Sequence, residues 1–441
     1  MRNSATARLV VMAFLAVALI VPLTWVYSIV GERESRRAAA IEEVSNTWAG
    51  MQTVGGPVLA VPYTTTWTDD AGRRKRSAAR AFLLPRDVHV EGKVDTELRY
   101  RGIFQVPVYR ATLTISGTFA KPDLGWVRPA PEQVDWDRAS VFVGLTDPRG
   151  VARRVSIRWR GLDVPLEGGT EDVGLFRSGL HAAIPPLDSA ETAGDIPFTF
   201  TIELKGTREL RFLPGGGETT IALTSGWPHP GFSGIALPET RAISDRGFTA
   251  QWRVQDFGRP FAAQWTSGDM NRDQLAARAN ESAFGVGLFQ PVDIYQQTER
   301  AVKYSVLFII LTFMVFFLWE VFSATLLHPM QYAFVGFAMC VFYLLLVSFS
   351  EHVGFDRAYT IASVVTTLLI AGYARAVLGG TRQGLSVCAA LATLYGFLYL
   401  LLRLEDYALL AGSLGLFLVL ALVMFVTRRM NWYDMKLGGR A

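Results

Sequence analysis

LVVMAFLAVALIVPLTWVYSIV, residues Leu9–Val30, decides how the rest of the chain is read. It holds no Asp, Glu, Lys, Arg or His. A helix rises about 1.5 Å per residue and a bilayer core is ~30 Å thick, so this run is long enough to cross it. Arg2 and Arg8 precede it, as they would precede a signal peptide. However, the run is longer than a usual signal core, and Glu32, Arg33 and Glu34 follow it before the small-residue patch Ala38–Ala40. It reads as a retained anchor rather than a cleaved leader.

Working outward, five further apolar stretches crowd the last third: Tyr304–Trp319, Pro329–Phe349, Ala358–Ala374, Gln383–Leu402 and Tyr407–Val426. Lys303 and Glu320 flank the first of them, leaving all six apolar cores free of Asp, Glu, Lys, Arg and His. Orientation follows from basic residues in short loops. With a cytoplasmic N-terminus, one side collects Arg2, Arg8, Arg375, Arg382, Arg428, Arg429, Lys436 and Arg440, and the other only Arg357 and Arg403. Both termini are therefore expected in the cytoplasm and the long middle region in the periplasm.

That middle region changes period. Residues 31–51 continue as helix, and Gly55-Gly56-Pro57 stops it. Short β-branched and aromatic segments follow, among them Val58–Trp67, Ala79–Leu84, Val88–Tyr100, Val106–Phe119, Ser140–Leu145, Val155–Trp159 and Phe248–Val254. Several alternate, as in Tyr109-Arg110-Ala111-Thr112-Leu113-Thr114-Ile115. Period-two alternation broken by Gly, Pro and Asp is the pattern of half-buried strands. The expected fold is an α+β membrane protein: an N-terminal transmembrane anchor, a large antiparallel β-rich, sandwich-like periplasmic domain, and a C-terminal five-helix bundle. The divisions are 1–30 (cytoplasmic N-terminus and first span), 31–300 (β domain with juxtamembrane helices), 301–427 (bundle) and 428–441 (cytoplasmic tail).

Charge and composition exclude several classes. Residues 31–300 carry 32 Lys and Arg against 33 Asp and Glu, while the whole chain is +4. The positive excess thus lies at membrane flanks and gives no case for nucleic-acid binding. Cys340 and Cys388 both fall in apolar runs, so the β region has no disulfide framework. Neither Ser178-Gly179 nor Ser233 in Gly231-Phe232-Ser233-Gly234 makes a nucleophile elbow, and no Walker loop is present. Glu351-His352 offers too few ligands for a metal, and no cofactor is expected. The run Arg73-Arg74-Lys75-Arg76 reads as the solvated tip of a hairpin, and most of the exported tryptophans as core or sheet-face packing. Ser363, Thr366, Thr367, Ser386 and Thr393 read as interhelical packing positions.

The charges that remain candidates lie at one end of the spans. Glu351, His352, Asp356 and Arg357 follow the third span, and Arg403, Glu405 and Asp406 follow the fifth. The candidate interaction rim is Glu351, His352, Arg403, Glu405 and Asp406, expected to bind the β domain or a head group through charge-assisted hydrogen bonds.

Particular runs also carry a likeness. They include Phe284-Gly285-Val286, Leu327-His328-Pro329-Met330-Gln331-Tyr332, Ser350-Glu351-His352-Val353-Gly354-Phe355, Leu394-Tyr395-Gly396-Phe397-Leu398-Tyr399 and Glu405-Asp406-Tyr407-Ala408-Leu409-Leu410. With Gly56-Pro57, Arg101-Gly102-Ile103-Phe104 and Tyr109, the chain resembles the CreD family of bacterial inner-membrane proteins, described as cell-envelope integrity proteins. The resemblance implies an inner-membrane location and a broad envelope role, often in a stress response, and brings no catalytic residues. The expected function is non-enzymatic support or sensing of envelope integrity, through a β domain that binds an envelope protein, lipid or polymer. The alternative is a protein that handles lipid or envelope precursors in a groove between bundle and β domain. Oligomeric state is left open.

Overall fold

The Leu9–Val30 run is helical, as its composition requires. α1 (Ala5–Ala18) and α2 (Ile20–Trp48) run on as a single helical stretch from Arg8 to Trp48, with a break at Leu19. Pro22 lies four residues beyond Ala18 and has no N–H for that carbonyl, which accounts for the interruption. The structure is a computed structural model describing residues 5–68, 73–170, 173–186, 194–268, 271–289, 294–323, 327–404 and 407–428. The chain divides into two units: residues 1–38 with 292–441, and residues 39–291.

The second unit is built on strands. In chain order they are β1 (Gln52–Thr68), β2 (Arg74–Leu83), β3 (Asp87–Arg101), β4 (Phe104–Phe119), β5 (Gln133–Val134), β6 (Ser140–Leu145), β7 (Val155–Trp159), β8 (Leu162–Gly168) and β9 (Gly179–Ala183). There follow β10 (Ile196–Thr207), β11 (Glu209–Phe212), β12 (Glu218–Ser225), β13 (Pro230–Gly234), β14 (Thr240–Ser244), β15 (Gly247–Gln255), β16 (Gln264–Thr266) and β17 (Phe284–Leu288), with helix α3 (Arg272–Glu281) before the last. One sheet runs β14-β15-β12-β3-β4-β10-β7-β8. The other is centred on β1, with β2 and β11 along one edge and β6 and β5 along the other. Pairing is antiparallel except for β1–β11 and β3–β12. β8 belongs to both, pairing with β7 in one sheet and β9 in the other.

A single apolar core joins the inner faces. Leu59, Val61 and Tyr63 of β1 share it with Val88, Val90, Leu113, Ile115, Phe198 and Phe200. The alternating residues Val58 and Ala60 point the other way, into a smaller core with Phe82, Phe142, Trp265 and, on α3, Leu275 and Ala279. β1 is thus covered on both faces, which explains why it is apolar without alternation. The sandwich expected from strand periodicity is what forms, with one main core. Trp159, Trp252 and Trp265 are buried in these cores, as their reading as core residues requires.

β1 and β2 form the expected hairpin, but the pairing extends beyond the expected start at Ala79. Arg74, Lys75 and Arg76 register opposite Thr68, Trp67 and Thr66. The basic run therefore lies largely along an exposed strand and not in a tip, because ladder hydrogen bonds are sequence-blind and continue while the backbone stays extended. Residues 69–72, between the two strands, lie outside the described residues.

Tyr109 shows how the sheet fixes a polar side chain. Its hydroxyl donates to the Glu209 carbonyl at 2.8 Å, and burial pushes the phenol far above its ordinary pKa. Gly206 is obligatory beside it, since a Cβ there would lie 2.3 Å from the tyrosine oxygen. Nearby, Asp147 accepts from the Arg149 side chain at 2.8 Å and from the Gly50 amide at 3.1 Å. The Arg149 side chain first, and the Gly50 and Arg149 amides after it, hold the carboxyl below its usual range. A carboxyl depressed in the folded state stabilises above its unfolded pKa of about 3.9 and loses that contribution as pH falls through the folded value. On acidification below about pH 4, the unfolding midpoint of wild type should therefore fall more steeply than that of Asp147→Asn. Parallel curves in a thermal scan would refute the assignment.

The helical unit contains α1, the first part of α2, α4 (Ile294–Lys303), α5 (Ser305–Ser323), α6 (Pro329–Val353), α7 (Phe355–Val377), α8 (Thr381–Arg403) and α9 (Ala408–Thr427). Among the described residues five helices are long and apolar enough to cross a membrane, and six if the α4–α5 pair, bent by 46°, counts as one. A large β-rich unit joined to a set of apolar helices is the make-up of a membrane protein.

Candidate functional site

α6 ends where Gly354 turns left-handed at φ 81°, a conformation open to glycine, and α7 begins at the next residue. That abrupt reversal brings Glu351, His352 and Asp356 to one end of the bundle, where α8 delivers Arg403. Glu351 is buried, its side chain 6% exposed. It accepts from the Tyr295 hydroxyl of α4 at 3.0 Å, and the Arg33 guanidinium of α2 lies 3.7 Å away. The carboxylate therefore ties three helices. A hydroxyl donor and a guanidinium thus face the two carboxylate oxygens.

A second cluster forms beside it. Arg403 pairs with Asp356 at 2.6 Å, and the Tyr399 hydroxyl donates to the same carboxylate at 3.1 Å. The guanidinium also lies over the Tyr399 ring, 5.4 Å from its centroid. Both members of this pair are more than half exposed. His352 is exposed and its Nδ1 is 3.0 Å from the Ser348 carbonyl oxygen of its own helix. Glu405 and Asp406 lie outside the described residues.

The structure thus places Glu351, His352 and Arg403 at the same end, and sets Glu351 against Arg33 and Tyr295 and Arg403 against Tyr399, residues that sequence reasoning did not single out for the rim. The missed signal was chemical type. A Tyr near a helix end is amphipathic and finds a polar partner when its ring is buried.

The opposite surprise concerns Glu320. Read as a flank of the second span, it lies within α5 and is 1% exposed. It pairs with Arg8 of α1, accepts from the Tyr332 hydroxyl at 2.8 Å and from the Leu327 amide at 3.3 Å. The helix outlasts the apolar run because Arg8 and Tyr332 satisfy the charge that would otherwise end it. The same junction explains Leu327-His328-Pro329-Met330-Gln331-Tyr332. His328 caps α6, accepting from Met330, while its own amide donates to Gln331 Oε1 at 2.8 Å. Pro329 takes the first helical position, where no amide is needed.

Among the small polar residues of the spans, Ser363, Ser386 and Thr393 donate to carbonyls of their own helices. A groove of about 500 Å³ between α7 and α8 is lined by Tyr359, Thr360, Ser363, Thr367, Cys388 and Tyr395, among others. Among the described residues no three His, Cys, Asp or Glu side chains gather as a metal site would need.

A family model described as "Inner membrane protein CreD" matches residues 4–433. The Inner membrane protein CreD of Escherichia coli (strain K12) is 34% identical over 423 residues, covering 95% of this chain and 92% of that protein. Neither description names a catalytic activity.

Proposed function

Since the chain belongs to the CreD family of inner membrane proteins, we propose that it is a non-enzymatic protein that supports or senses the state of the cell envelope. In this reading the β sandwich stands in the periplasm and binds an envelope partner, while the spans hold it at the inner membrane. The observation that carries the reading is the division of labour within the chain: a closed sandwich with its own core, and a helical unit whose charges gather at helix ends and pair there. The basic residues of the short loops support cytoplasmic termini, eight on that side against Arg357 and Arg403 on the other. With six crossings, the rim of Glu351, His352, Arg403, Glu405 and Asp406 falls on the periplasmic side, available to a partner or head group.

Reporter fusions test the orientation. Alkaline phosphatase fused after Phe200 should be active and a fusion at Ala441 inactive. The reverse pattern would end the proposal. For the rim, Glu351→Gln should loosen the α2–α4–α6 junction and change the yield of in-cell cross-links made by a photo-reactive residue at His352. Identical cross-links in wild type and variant would remove the rim from the reading. The α7–α8 groove favours lipid handling as a second reading, since its small hydroxyls and aromatic walls suit an acyl chain and a polar head.

A further inference from the structure

The groove between α7 and α8 runs from Tyr359 to Leu368 on one wall and from Tyr399 back to Cys388 on the other. At the rise of a helix that is a length of about 13–17 Å. Half of a ~30 Å hydrocarbon core, the depth of one leaflet, is close to the same length. One turn beyond Tyr359 and Tyr399, at the ends of the spans, stand Asp356, the second residue of α7, and Arg403, the last of α8. Tyr399 joins the two parts. Its ring lies 5.3 Å from that of Tyr359 and beneath the Arg403 guanidinium, and its hydroxyl donates to Asp356 at 3.1 Å. An ion pair at headgroup level thus opens onto a trough that descends into the membrane core.

No described residue fills the trough. α9 takes a neighbouring face of α8, with Gly412 beside Leu401 and Gly415 beside Phe397. Gly396 lines the groove, and a Cβ added to it would meet no described atom within 4 Å. Glycine inside a helix is less stable than alanine, and here no neighbour in the chain requires it. Across from it Val364 and Leu368 are 50% and 62% exposed. The ion pair says what enters. Both of its members are more than half exposed, and Arg403 engages Asp356 and Tyr399 through Nε and Nη2 alone among the described residues, leaving Nη1 open. A headgroup of one sign would be attracted by one member of the pair and repelled by the other. A headgroup carrying both signs meets both, a phosphate at the guanidinium and an ammonium at the carboxylate.

We propose that the α7–α8 groove holds an acyl chain of a phosphatidylethanolamine, whose phosphate accepts from Arg403 and whose ammonium donates to Asp356. This deepens the second reading above, lipid handling in this groove, and rests on it, by naming the headgroup class. A choline headgroup has the same two charges but no N–H to donate. A phosphatidylglycerol headgroup brings a phosphate and offers Asp356 no cation.

The full chain is placed in phosphatidylcholine nanodiscs with a trace of phosphatidylethanolamine, phosphatidylglycerol or phosphatidylcholine bearing a photo-reactive group midway along one acyl chain. After irradiation, mass spectrometry compares label in α7 and α8 with label in α9, where Ala408 alone is buried and the rest reports ordinary lipid contact. The ethanolamine probe should label α7 and α8 about threefold or more above the other two. Asp356→Asn should bring it down to the level of the choline probe. Gly396→Leu fills the groove and should remove the excess over α9 for every probe. Its thermal midpoint should equal or exceed that of wild type, because leucine favours a helix more than glycine does. Equal labelling by the three probes, or a preference that survives Asp356→Asn, overturns the headgroup assignment and leaves lipid handling standing. No excess over α9 with any probe, or an excess unchanged in Gly396→Leu, overturns the proposal and the second reading with it. Disulfide-linked dimers of Gly396→Cys in membranes would seat a second copy in the groove and overturn both as well. The envelope reading and its reporter fusions are untouched by any of these results.

Discussion

Glu320→Ala should cost the helical unit about 3 kcal/mol or more, because it strands Arg8 against the helices without its counter-charge. It also removes the acceptor of the Tyr332 hydroxyl and of the Leu327 amide, both buried. Arg8 is 19% exposed on its side chain, so partial hydration puts the expected loss at the lower end of the range for a broken buried pair. Replacing both charges, Arg8→Met with Glu320→Leu, should recover most of the loss, since desolvation of two ions then disappears along with their attraction. Thermal unfolding of the full chain in detergent measures both. A Glu320→Ala midpoint equal to wild type would show that the pair contributes nothing.

The second large effect is expected at Trp159. This side chain is completely buried on β7, its ring tilted at 49° to that of Phe119 with 5.5 Å between centroids, and opposite Phe198 in register. Trp159→Ala should destabilise the sandwich by about 3–5 kcal/mol, a large share of the ~5–15 kcal/mol that holds a typical domain together. Trp159→Phe should cost about 1 kcal/mol or less. The reason is that the indole nitrogen has no hydrogen-bond partner among the described residues, so losing it offsets part of the lost contact area. Limited proteolysis of residues 39–291 in the full chain separates the two. Equal resistance of Trp159→Ala and wild type would contradict the packing described above.

How far these sites were legible differs for a physical reason in each case. The span Pro329–Phe349 and the strands Ser140–Leu145 and Val155–Trp159 were readable because burial imposes a period on residues that are neighbours in sequence. The β8, β13, β14 and β16 strands were not, since short strands with exposed or mixed residues satisfy their hydrogen bonds without any apolar pattern. The rim shows the same boundary. Glu351, His352 and Arg403 could be assigned to one end of the bundle by counting crossings. Nothing in their spacing says that Glu351 meets Tyr295 and Arg33, 56 and 318 residues away.

The amino-acid order alone was enough to determine that this chain has apolar helices at both ends of a strand-rich region, because the free energy of burying apolar surface depends on local composition and period. Membership of the CreD family was also readable from short runs of residues. Tertiary structure alone decided that the two sheets share one core, that Glu320 is an interior charge held by Arg8 and Tyr332, and that three cations from separate strands meet over Trp48. Charges interact through space over a few ångströms, and the distance between them is set by how the chain folds back, which sequence separation does not record.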